Sequence, residues 1–241
     1  MLFTDLTIPN QLLQGISEAG FKECTPIQEK TLPISLSGKD VAGQAQTGTG
    51  KTAAFLVTLF SGLLKNEPVD PSSRPSALIL APTRELVVQI EKDALLLGKH
   101  CGISVQAIYG GVDYMKQKNA LKEGADIVIG TPGRLIDYLK QKVYSLRKIR
   151  FLVIDEADRM FDMGFIPDLR YILRRLPPYN ERQNLMFSAT LSNRVMELSY
   201  EFMNLPVKVS VTPEKMTADR VEQLLYHVSN SEKFPPLLGL I

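Results

Sequence analysis

The residues best suited to do chemistry stand together in one short segment, Ala45-Gln46-Thr47-Gly48-Thr49-Gly50-Lys51-Thr52. Gly48 and Gly50 let the backbone close around an anion with successive N–H groups directed inward. A helical pattern follows, so the partial positive charge of a helix N-terminus would face the same point. The Lys51 ammonium can reach phosphates, and the Thr52 hydroxyl can ligate Mg²⁺. The segment predicts a loop that binds nucleotide phosphates, although its first position holds Ala45 where the general pattern has glycine.

A second group of reactive side chains, Asp155-Glu156-Ala157-Asp158, directly follows the apolar run 151–154. Carboxylates at the C-terminal end of a buried strand lie where open α/β sheets bind ligands. Asp155 is predicted to hold Mg²⁺ through water, because Mg²⁺ takes one or two carboxylates and keeps several waters. Glu156 is predicted to polarise the attacking water. The alternative is an acidic helix start that the helix dipole favours, but the nearby phosphate loop supports the catalytic interpretation.

Strands and helices must position these groups, and the hydropathy pattern indicates where they lie. Continuous apolar runs predict buried parallel strands at 41–44, 77–80, 105–109, 127–129, 151–154 and 185–187, with further strands at 207–211 and 224–228. Helical periodicity predicts helices at 51–65, 83–101, 114–122, 134–140, 168–176 and 193–202. The proline-containing segment 66–75 is predicted to be a surface loop. This alternation predicts an α/β fold, a doubly wound and largely parallel sheet with helices on both faces.

Composition and charge exclude several classes of protein. The 28 Lys and Arg nearly balance the 26 Asp and Glu of the 241 residues, so any contact with nucleic acid must be a local patch. Cys24, Cys101, His100 and His227 do not have the spacing of a zinc site. No apolar stretch approaches the ~20 residues needed to span a bilayer, and the first residues lack the pattern of a signal peptide. We therefore expect a cytoplasmic protein that makes no membrane contact.

Five further segments, taken in order with the two above, resemble the motifs of the DEAD-box RNA helicases. They are Gly20-Phe21-Lys22-Glu23-Cys24-Thr25-Pro26-Ile27-Gln28, Pro82-Thr83-Arg84-Glu85-Leu86, Gly110-Gly111, Thr131-Pro132-Gly133-Arg134 and Ser188-Ala189-Thr190. Phe3 stands 17 residues before Gly20, where the family has an isolated aromatic residue. The resemblance covers essentially the whole chain and implies a RecA-like P-loop NTPase domain that uses ATP and Mg²⁺.

The resemblance also implies a domain organisation. Residues 1–35 would be a helical lead-in to the same domain, 36–230 the ATP-binding helicase domain, and 231–241 the start of a linker to a second RecA-like domain. Because the family's second domain supplies an arginine finger and further RNA contacts, we expect this chain to be the N-terminal half of a helicase and nearly inactive alone. The full protein would couple ATP hydrolysis to unwinding of RNA duplexes. Two other functions are possible for such a chain, a DNA-directed P-loop motor and a nucleotide-gated RNA clamp. Asp158 argues against the DNA-directed motor.

The family's Q motif implies how the base is bound. The Gln28 amide can donate one hydrogen bond and accept another, which matches the N6 amino group and N7 of adenine. Phe3 is predicted to stack on the base, Lys22 and Thr25 to line its other side, and Phe21 to be buried in the core. A plain helix start, with Thr25 as N-cap and Pro26 at the first helical position, is the structural alternative, and both can hold together.

RNA contacts are predicted where helices begin after successive strands. The candidates are Pro82, Thr83, Arg84, Gly110, Gly111, Thr131, Pro132, Gly133 and Arg134. A helix N-terminus with an adjacent arginine can bind phosphate, whereas the alternative is a helix cap beside a solvated arginine. No aromatic residues alternate with these positions, so recognition of the sugar–phosphate backbone without sequence preference is expected.

The resemblance also assigns coupling and catalytic residues. Ser188 and Thr190 would bond to the acidic motif, with Asp158 as the expected partner, unless Ser188 only caps a helix. The predicted catalytic set is Lys51, Asp155, Glu156, Asp158, Ser188 and Thr190, with Thr52 and Asp155 as metal ligands. The basic clusters Arg147, Lys148, Arg150 and Arg174-Arg175 are predicted to be solvated. Segments 40–45, 134–138, 158–160 and 174–178 are most similar to a bacterial branch, which implies a role in RNA decay and contact with an RNA-degrading ribonuclease assembly through the other half.

Overall fold

A computed structural model describes residues 1–65 and 75–211, together with Gly239. Seven strands of the described residues form one sheet in the order β3-β4-β2-β5-β6-β1-β7, and all their pairings are parallel. The strands are β1 (Val41–Gln44), β2 (Ala77–Leu80), β3 (Val105–Ile108), β4 (Ile127–Gly130), β5 (Phe151–Ile154), β6 (Gln183–Ser188) and β7 (Val207–Ser210). The predicted parallel sheet is confirmed.

Nine α-helices of the described residues surround the sheet. They are α1 (Asn10–Glu18), α2 (Pro26–Ser35), α3 (Lys51–Lys65), α4 (Arg84–Leu97), α5 (Tyr114–Glu123), α6 (Pro132–Lys140), α7 (Ala157–Asp162), α8 (Ile166–Leu173) and α9 (Asn193–Phe202), with 3₁₀ turns at Phe3–Asp5 and Tyr179–Glu181. No helix of this described part is long and apolar enough to cross a membrane.

Each face of the sheet carries its own apolar core. In β2, Ala77 and Ile79 pack into a core with α1 to α4, whereas Leu78 and Leu80 pack into a second core with residues of α5 to α9. Because successive side chains of a strand point to opposite faces, a strand buried on both faces must be apolar throughout. This arrangement confirms the prediction of helices on both faces.

Several helix boundaries differ from the predicted ones for local reasons. The predicted helix 83–101 ends at Leu97, because Gly98 forms the C-cap. The predicted helix 134–140 begins at Pro132, since the fixed φ of proline suits the first helical position. The short helix α7 was not among the predicted helices. The predicted strand 224–228, His227 and the linker 231–241 lie outside the described residues, apart from Gly239, as does most of the loop 66–75.

The strand order divides the C-terminal edge of the sheet into two regions. The neighbouring strands β3, β4 and β2 lead into the predicted RNA-binding segments that begin at Gly110, Thr131 and Pro82. The neighbouring strands β5, β6 and β1 lead into the acidic motif, Ser188-Ala189-Thr190 and the phosphate loop. Parallel strands thus bring the predicted nucleotide and RNA residues to one edge, in adjacent groups.

Candidate nucleotide and RNA site

The phosphate loop is held open by two glycines in the left-handed region. Gly48 has φ +82° and Gly50 has φ +93°, a conformation that side chains disfavour. A Cβ atom on Gly50 would also lie 2.5 Å from Nε2 of Gln28. Glycine is therefore required at position 50 for both its φ and its lack of a side chain.

Lys51 and Asp155 place opposite charges beneath this loop. Lys51 is the first residue of α3, is 6% exposed, and its Nζ donates to the carbonyl oxygen of Ala45 at 2.8 Å. Asp155 follows β5 and is buried, and this burial raises the pKa of its carboxyl group to about 6, although the nearby Lys51 charge lowers it. Oδ1 of Asp155 accepts from the backbone N–H of Glu156 at 2.9 Å. A bound cation would favour the ionised carboxylate.

Glu156 occupies a sparsely populated backbone conformation. Its φ of 49° and ψ of 51° lie in the left-handed region, where it forms the N-cap position of α7. Its Oε2 lies 3.1 Å from Nη1 of Arg159, and its side chain is largely buried. Such strain is frequent at functional sites, and Glu156 lines the cavity beside the loop.

That cavity has a volume of about 220 Å³ and contains most of the predicted phosphate and metal residues. The predicted residues that line it are Thr47, Gly48, Gly50, Lys51, Thr52, Asp155 and Glu156. Glycine N–H groups, an ammonium, a hydroxyl and two carboxylates suit a nucleotide triphosphate with Mg²⁺. The described residues contain no group of three His, Cys, Asp or Glu side chains that could hold a metal, so Mg²⁺ would depend on the carboxylates, the Thr52 hydroxyl, phosphate oxygens and water.

Residues that the sequence did not assign to the cavity also line it. These are Phe21, Ala53 of α3 and, from α4, Leu86, Gln89, Asp93, Leu96 and Leu97. Burial raises the pKa of the Asp93 carboxyl group above its usual range. Their recurrence every three to four residues along α4 is a helical face. The polar Gln89 and Asp93 within it were the signal that could have identified this face.

The prediction that Phe21 is buried in the core is wrong, whereas the predicted stacking of Phe3 on the base stays a prediction. Phe3 is 2% exposed and belongs to the core, whereas Phe21 is 37% exposed and lines the cavity. Phe3 is drawn inward because Leu2 pairs with Glu23 and the Phe3 N–H donates to the Lys22 carbonyl at 3.2 Å. The two rings meet edge to face with centroids 6.4 Å apart. Phe3 therefore supports Phe21, and Phe21 has the accessible ring.

The remaining Q-motif residues are divided between two places. Lys22 is exposed and lines a neighbouring depression beside Phe3 and Phe21. Thr25 is the N-cap residue of α2 with Pro26 at the first helical position, as predicted. Gln28 is fully buried; its Oε1 accepts from the Thr25 N–H at 2.9 Å and its Nε2 donates to the Gly50 carbonyl at 3.0 Å. The Q motif is thus hydrogen-bonded to the phosphate loop through Gln28.

One predicted RNA residue, Arg84, reaches across to the segment after β3. Thr83 is the N-cap of α4, and its Oγ1 accepts from the Leu86 N–H at 3.3 Å. The exposed Arg84 guanidinium lies 5.3 Å from the ring centroid of Tyr109. Gly111 has φ +81°, and a Cβ there would lie 3.0 Å from Nη1 of Arg84. The residues after β2 and β3 therefore form one surface.

Arg134 is held in a similar way at the start of α6. Thr131 is the N-cap of this helix and Pro132 its first residue. The Arg134 guanidinium lies 5.2 Å from the ring centroid of Tyr114 and 5.8 Å from that of Tyr138. Gly110, Thr131, Gly133 and Arg134 line one groove. Aromatic rings therefore lie beside both arginines, which the sequence did not predict. The cation–π contacts orient the two guanidinium groups.

Asp158 is the partner of Ser188 and Thr190, as predicted. Oδ2 of Asp158 accepts from the backbone N–H of Thr190 at 3.0 Å and from its Oγ1 at 3.1 Å. Oγ of the fully buried Ser188 accepts from the Asp158 N–H at 3.1 Å. Ser188 therefore satisfies a free N–H in the first turn of α7, so the capping alternative and the predicted pairing both hold.

Comparison with known proteins agrees with this geometry. Residues 25–198 match the DEAD/DEAH box helicase family. The chain belongs to the DEAD/DEAH box helicase family. It is 55% identical over 240 residues to the ATP-dependent RNA helicase RhlB of Idiomarina loihiensis, covering 99% of this chain and 56% of that relative. It is also 55% identical to RhlB of Xanthomonas oryzae pv. oryzae, covering 99% of this chain and 42% of that relative.

Both relatives are bacterial RhlB helicases, so the predicted similarity to a bacterial branch is confirmed. The chain spans about half the length of these curated relatives and matches their N-terminal part. A solved structure, a hypothetical ATP-dependent RNA helicase from Sulfolobus tokodaii, is 34% identical with a TM-score of 0.75, covering 85% of this chain and 57% of that one. The DEAD-box chain thus has a RecA-like fold.

Proposed function

We propose that this chain is the ATP-binding N-terminal half of an RNA helicase that couples hydrolysis of Mg-ATP to unwinding of RNA duplexes. The observation that carries the proposal is the convergence of the phosphate loop, the acidic motif and the Asp158–Thr190 contact on one edge of the sheet. The segments that begin at Pro82, Gly110 and Thr131 lie on the adjoining strands of that edge. A nucleotide and an RNA strand could therefore occupy neighbouring sites.

The residues that line the cavity would bind the phosphate groups of ATP. Lys51 now donates to the Ala45 carbonyl. With ATP bound it would donate to phosphate oxygens instead, in charge-assisted hydrogen bonds. Thr52 and Asp155 would hold Mg²⁺, which neutralises charge on the transferring phosphate when it is bound. Glu156 would accept a proton from the attacking water, since its carboxylate lies in the same cavity as Lys51.

Phe21 and Gln28 would bind the adenine base of ATP. The accessible ring of Phe21 offers a stacking face for adenine. The Gln28 amide already bonds Thr25 and Gly50, but it retains one N–H and one lone pair. These would bond N7 and N6 of adenine, and Lys22 and Thr25 would lie beside the base.

The segments that begin at Pro82, Gly110 and Thr131 would bind the sugar–phosphate backbone of RNA without sequence preference. Arg84 and Arg134 supply two formal charges, and the N-termini of α4 and α6 supply N–H groups. The backbone at Gly111 allows close approach. Asp158, bonded to Thr190 on one side and to Ser188 on the other, would transmit the nucleotide state between the two sites.

The wider role follows from the relatives and goes beyond this chain. A second RecA-like domain of the same protein would complete the active site with an arginine finger and further RNA contacts. A cytoplasmic location, a role in bacterial RNA decay and contact of the other half with an RNA-degrading ribonuclease assembly are parts of the same proposal.

The measurement of ATP turnover with and without RNA tests the proposal, in residues 1–241 and in a full-length version. RNA-stimulated turnover in the full-length protein alone is the expected result. A nucleotide-gated RNA clamp would bind RNA in an ATP-dependent manner without turnover in either version. A DNA-directed motor would be stimulated by DNA and not by RNA. Either outcome would replace the helicase assignment.

A further inference from the structure

A second cavity lies at the edge of the sheet opposite the nucleotide site. It has a volume of about 630 Å³, and Lys39, Arg150, Glu181, Arg182, Asn204 and Leu205 are among the residues that line it. We call it the basal cavity. Lys39 precedes β1, Arg150 precedes β5, Arg182 precedes β6 and Leu205 precedes β7, so the cavity lies at the N-terminal ends of these strands. It takes no part in the proposed ATP or RNA sites.

Asp40, Arg182 and Asn204, which line the basal cavity, belong to one hydrogen-bond network. The buried Asp40 carboxylate accepts from the Asn184 N–H at 2.8 Å, from Asn184 Nδ2 at 2.7 Å and from the Asn204 N–H at 2.7 Å. Arg182 donates to Asn184 Oδ1 at 2.6 Å and to the Phe202 carbonyl at 3.0 Å. Arg182 also donates to the carbonyl of Pro177. These groups satisfy one another, so the network is structural.

Arg150 differs from Arg182 in this respect. Its Nη2 is buried and has no hydrogen-bond partner within residues 1–65 and 75–211. A buried N–H of a charged group is costly when it is left unpaired. Lys39 is exposed on the rim of the same cavity. Two cationic side chains that line one cavity are suited to bind a carboxylate.

Leu205 adds an apolar feature whose backbone is strained. Its φ of 45° lies in the left-handed region, and its side chain is 88% exposed. Glycine, asparagine and aspartate favour this conformation, whereas leucine does not. Because so exposed a side chain gains little from packing, the fold does not explain leucine here. Uncompensated strain of this kind points to a function.

The charges around the cavity decide which kind of ligand fits. Glu181 and the buried Asp40 also line the cavity, so a polyphosphate backbone would meet more repulsion there than a single carboxylate beside an apolar side chain. We propose that the basal cavity is a docking site for a partner protein, which places an acidic side chain against Arg150 and Lys39 and an apolar side chain against Leu205.

Nuclear magnetic resonance titration of ¹⁵N-labelled residues 1–241 tests this docking site. The probe is a pool of short, end-blocked peptides that each hold one Glu near one Leu, and the matched pool has Gln for Glu. We expect saturable shifts at Lys39, Arg150 and Leu205 with the Glu pool and weaker or no shifts with the Gln pool. No saturable shift, or equal shifts with both pools, would overturn the proposal.

Two variants separate docking from folding. Leu205→Asn suits the left-handed backbone, so its melting temperature should be unchanged or higher while peptide affinity falls. Arg150→Gln should weaken the Glu pool about tenfold, which is the loss of one charge-assisted contact, whereas the exposed control Arg147→Gln should not. Unchanged affinity in both test variants would contradict the proposal. Tighter binding of single-stranded RNA or of inorganic phosphate to the same residues would assign the cavity to phosphate instead.

Discussion

Gln28 and Gly50 are joined by a hydrogen bond in which Nε2 of Gln28 donates to the Gly50 carbonyl at 3.0 Å. The bond links the first turn of α2 to the phosphate loop, at the point where Gly50 adopts a φ of +93°. The other end of the same amide accepts from the Thr25 N–H. The residue proposed to read the base is therefore also a support of the loop that would hold the phosphates.

Replacement of Gln28 tests both of these roles. Gln28→Ala leaves the Thr25 N–H and the Gly50 carbonyl unpaired, which should lower the free energy of unfolding by about 1–3 kcal/mol. Calorimetry should show weaker ATP binding and little change for GTP, which we expect to be a poor ligand of the wild-type chain. Gln14→Ala, on the exposed face of α1, is the matched control. Equal binding of ATP and GTP by the wild-type chain would disprove base reading by Gln28.

Lys51→Ala should remove nucleotide binding without unfolding the domain. The side chain makes one hydrogen bond, to Ala45, and faces the cavity. Its charge-assisted phosphate contacts are worth about 1.5–3 kcal/mol each. Mg-ATP should raise the melting temperature of the wild-type chain and of Lys65→Ala, at the far end of the same helix, but not that of Lys51→Ala. An equal rise in all three proteins would refute the role of Lys51.

Phe21 and Phe3 should respond to substitution in opposite ways. Phe21→Ala should weaken ATP binding with a small loss of stability, because the ring is partly exposed in the cavity. Phe3→Ala should cost about 3–5 kcal/mol of stability, the usual effect of removing a buried aromatic ring. Urea unfolding and ATP titration separate the two effects. Loss of ATP binding in a Phe3→Leu variant that remains fully folded would instead return the stacking role to Phe3.

Thr190→Ala should uncouple RNA from ATP in the full-length protein. The substitution removes the hydroxyl that donates to Asp158 Oδ2 at 3.1 Å, and Thr190 does not line the nucleotide cavity. ATP affinity should therefore stay the same while RNA-stimulated turnover falls. Thr190→Ser keeps the hydroxyl and should retain turnover. A parallel loss of ATP affinity in the alanine variant would show that Thr190 acts on the nucleotide directly.

Residues 1–241 should bind single-stranded RNA weakly and should not unwind it. Arg84 and Arg134 are the two cations of the proposed RNA surface. A plot of the logarithm of affinity against that of salt concentration should have a slope of about −1.4, or about −0.7 per neutralised phosphate. Arg84→Gln should reduce the slope by about 0.7, and Arg147→Gln should not. Robust strand separation by this chain alone would contradict its interpretation as half of an enzyme.

Local sequence determined the elements and the order of the motifs. The strands Ala77–Leu80 and Phe151–Ile154 match their predicted bounds, since a strand buried on both faces must be apolar at every position. The N-cap position of Thr25 and the left-handed glycines of the phosphate loop were likewise predictable. In each of these cases the backbone preference of a few neighbouring residues sets the structure.

Tertiary structure alone decided which side chains meet. The sequence did not distinguish the buried Phe3 from the accessible Phe21, because the pairing of Leu2 with Glu23 sets their exposure. The sequence also did not place Tyr109 beneath Arg84 or join Gln28 to Gly50, which lie 22 residues apart. The order β3-β4-β2-β5-β6-β1-β7 arises from packing between distant segments. Contacts of that kind depend on burial and chain topology, which no short stretch of sequence encodes.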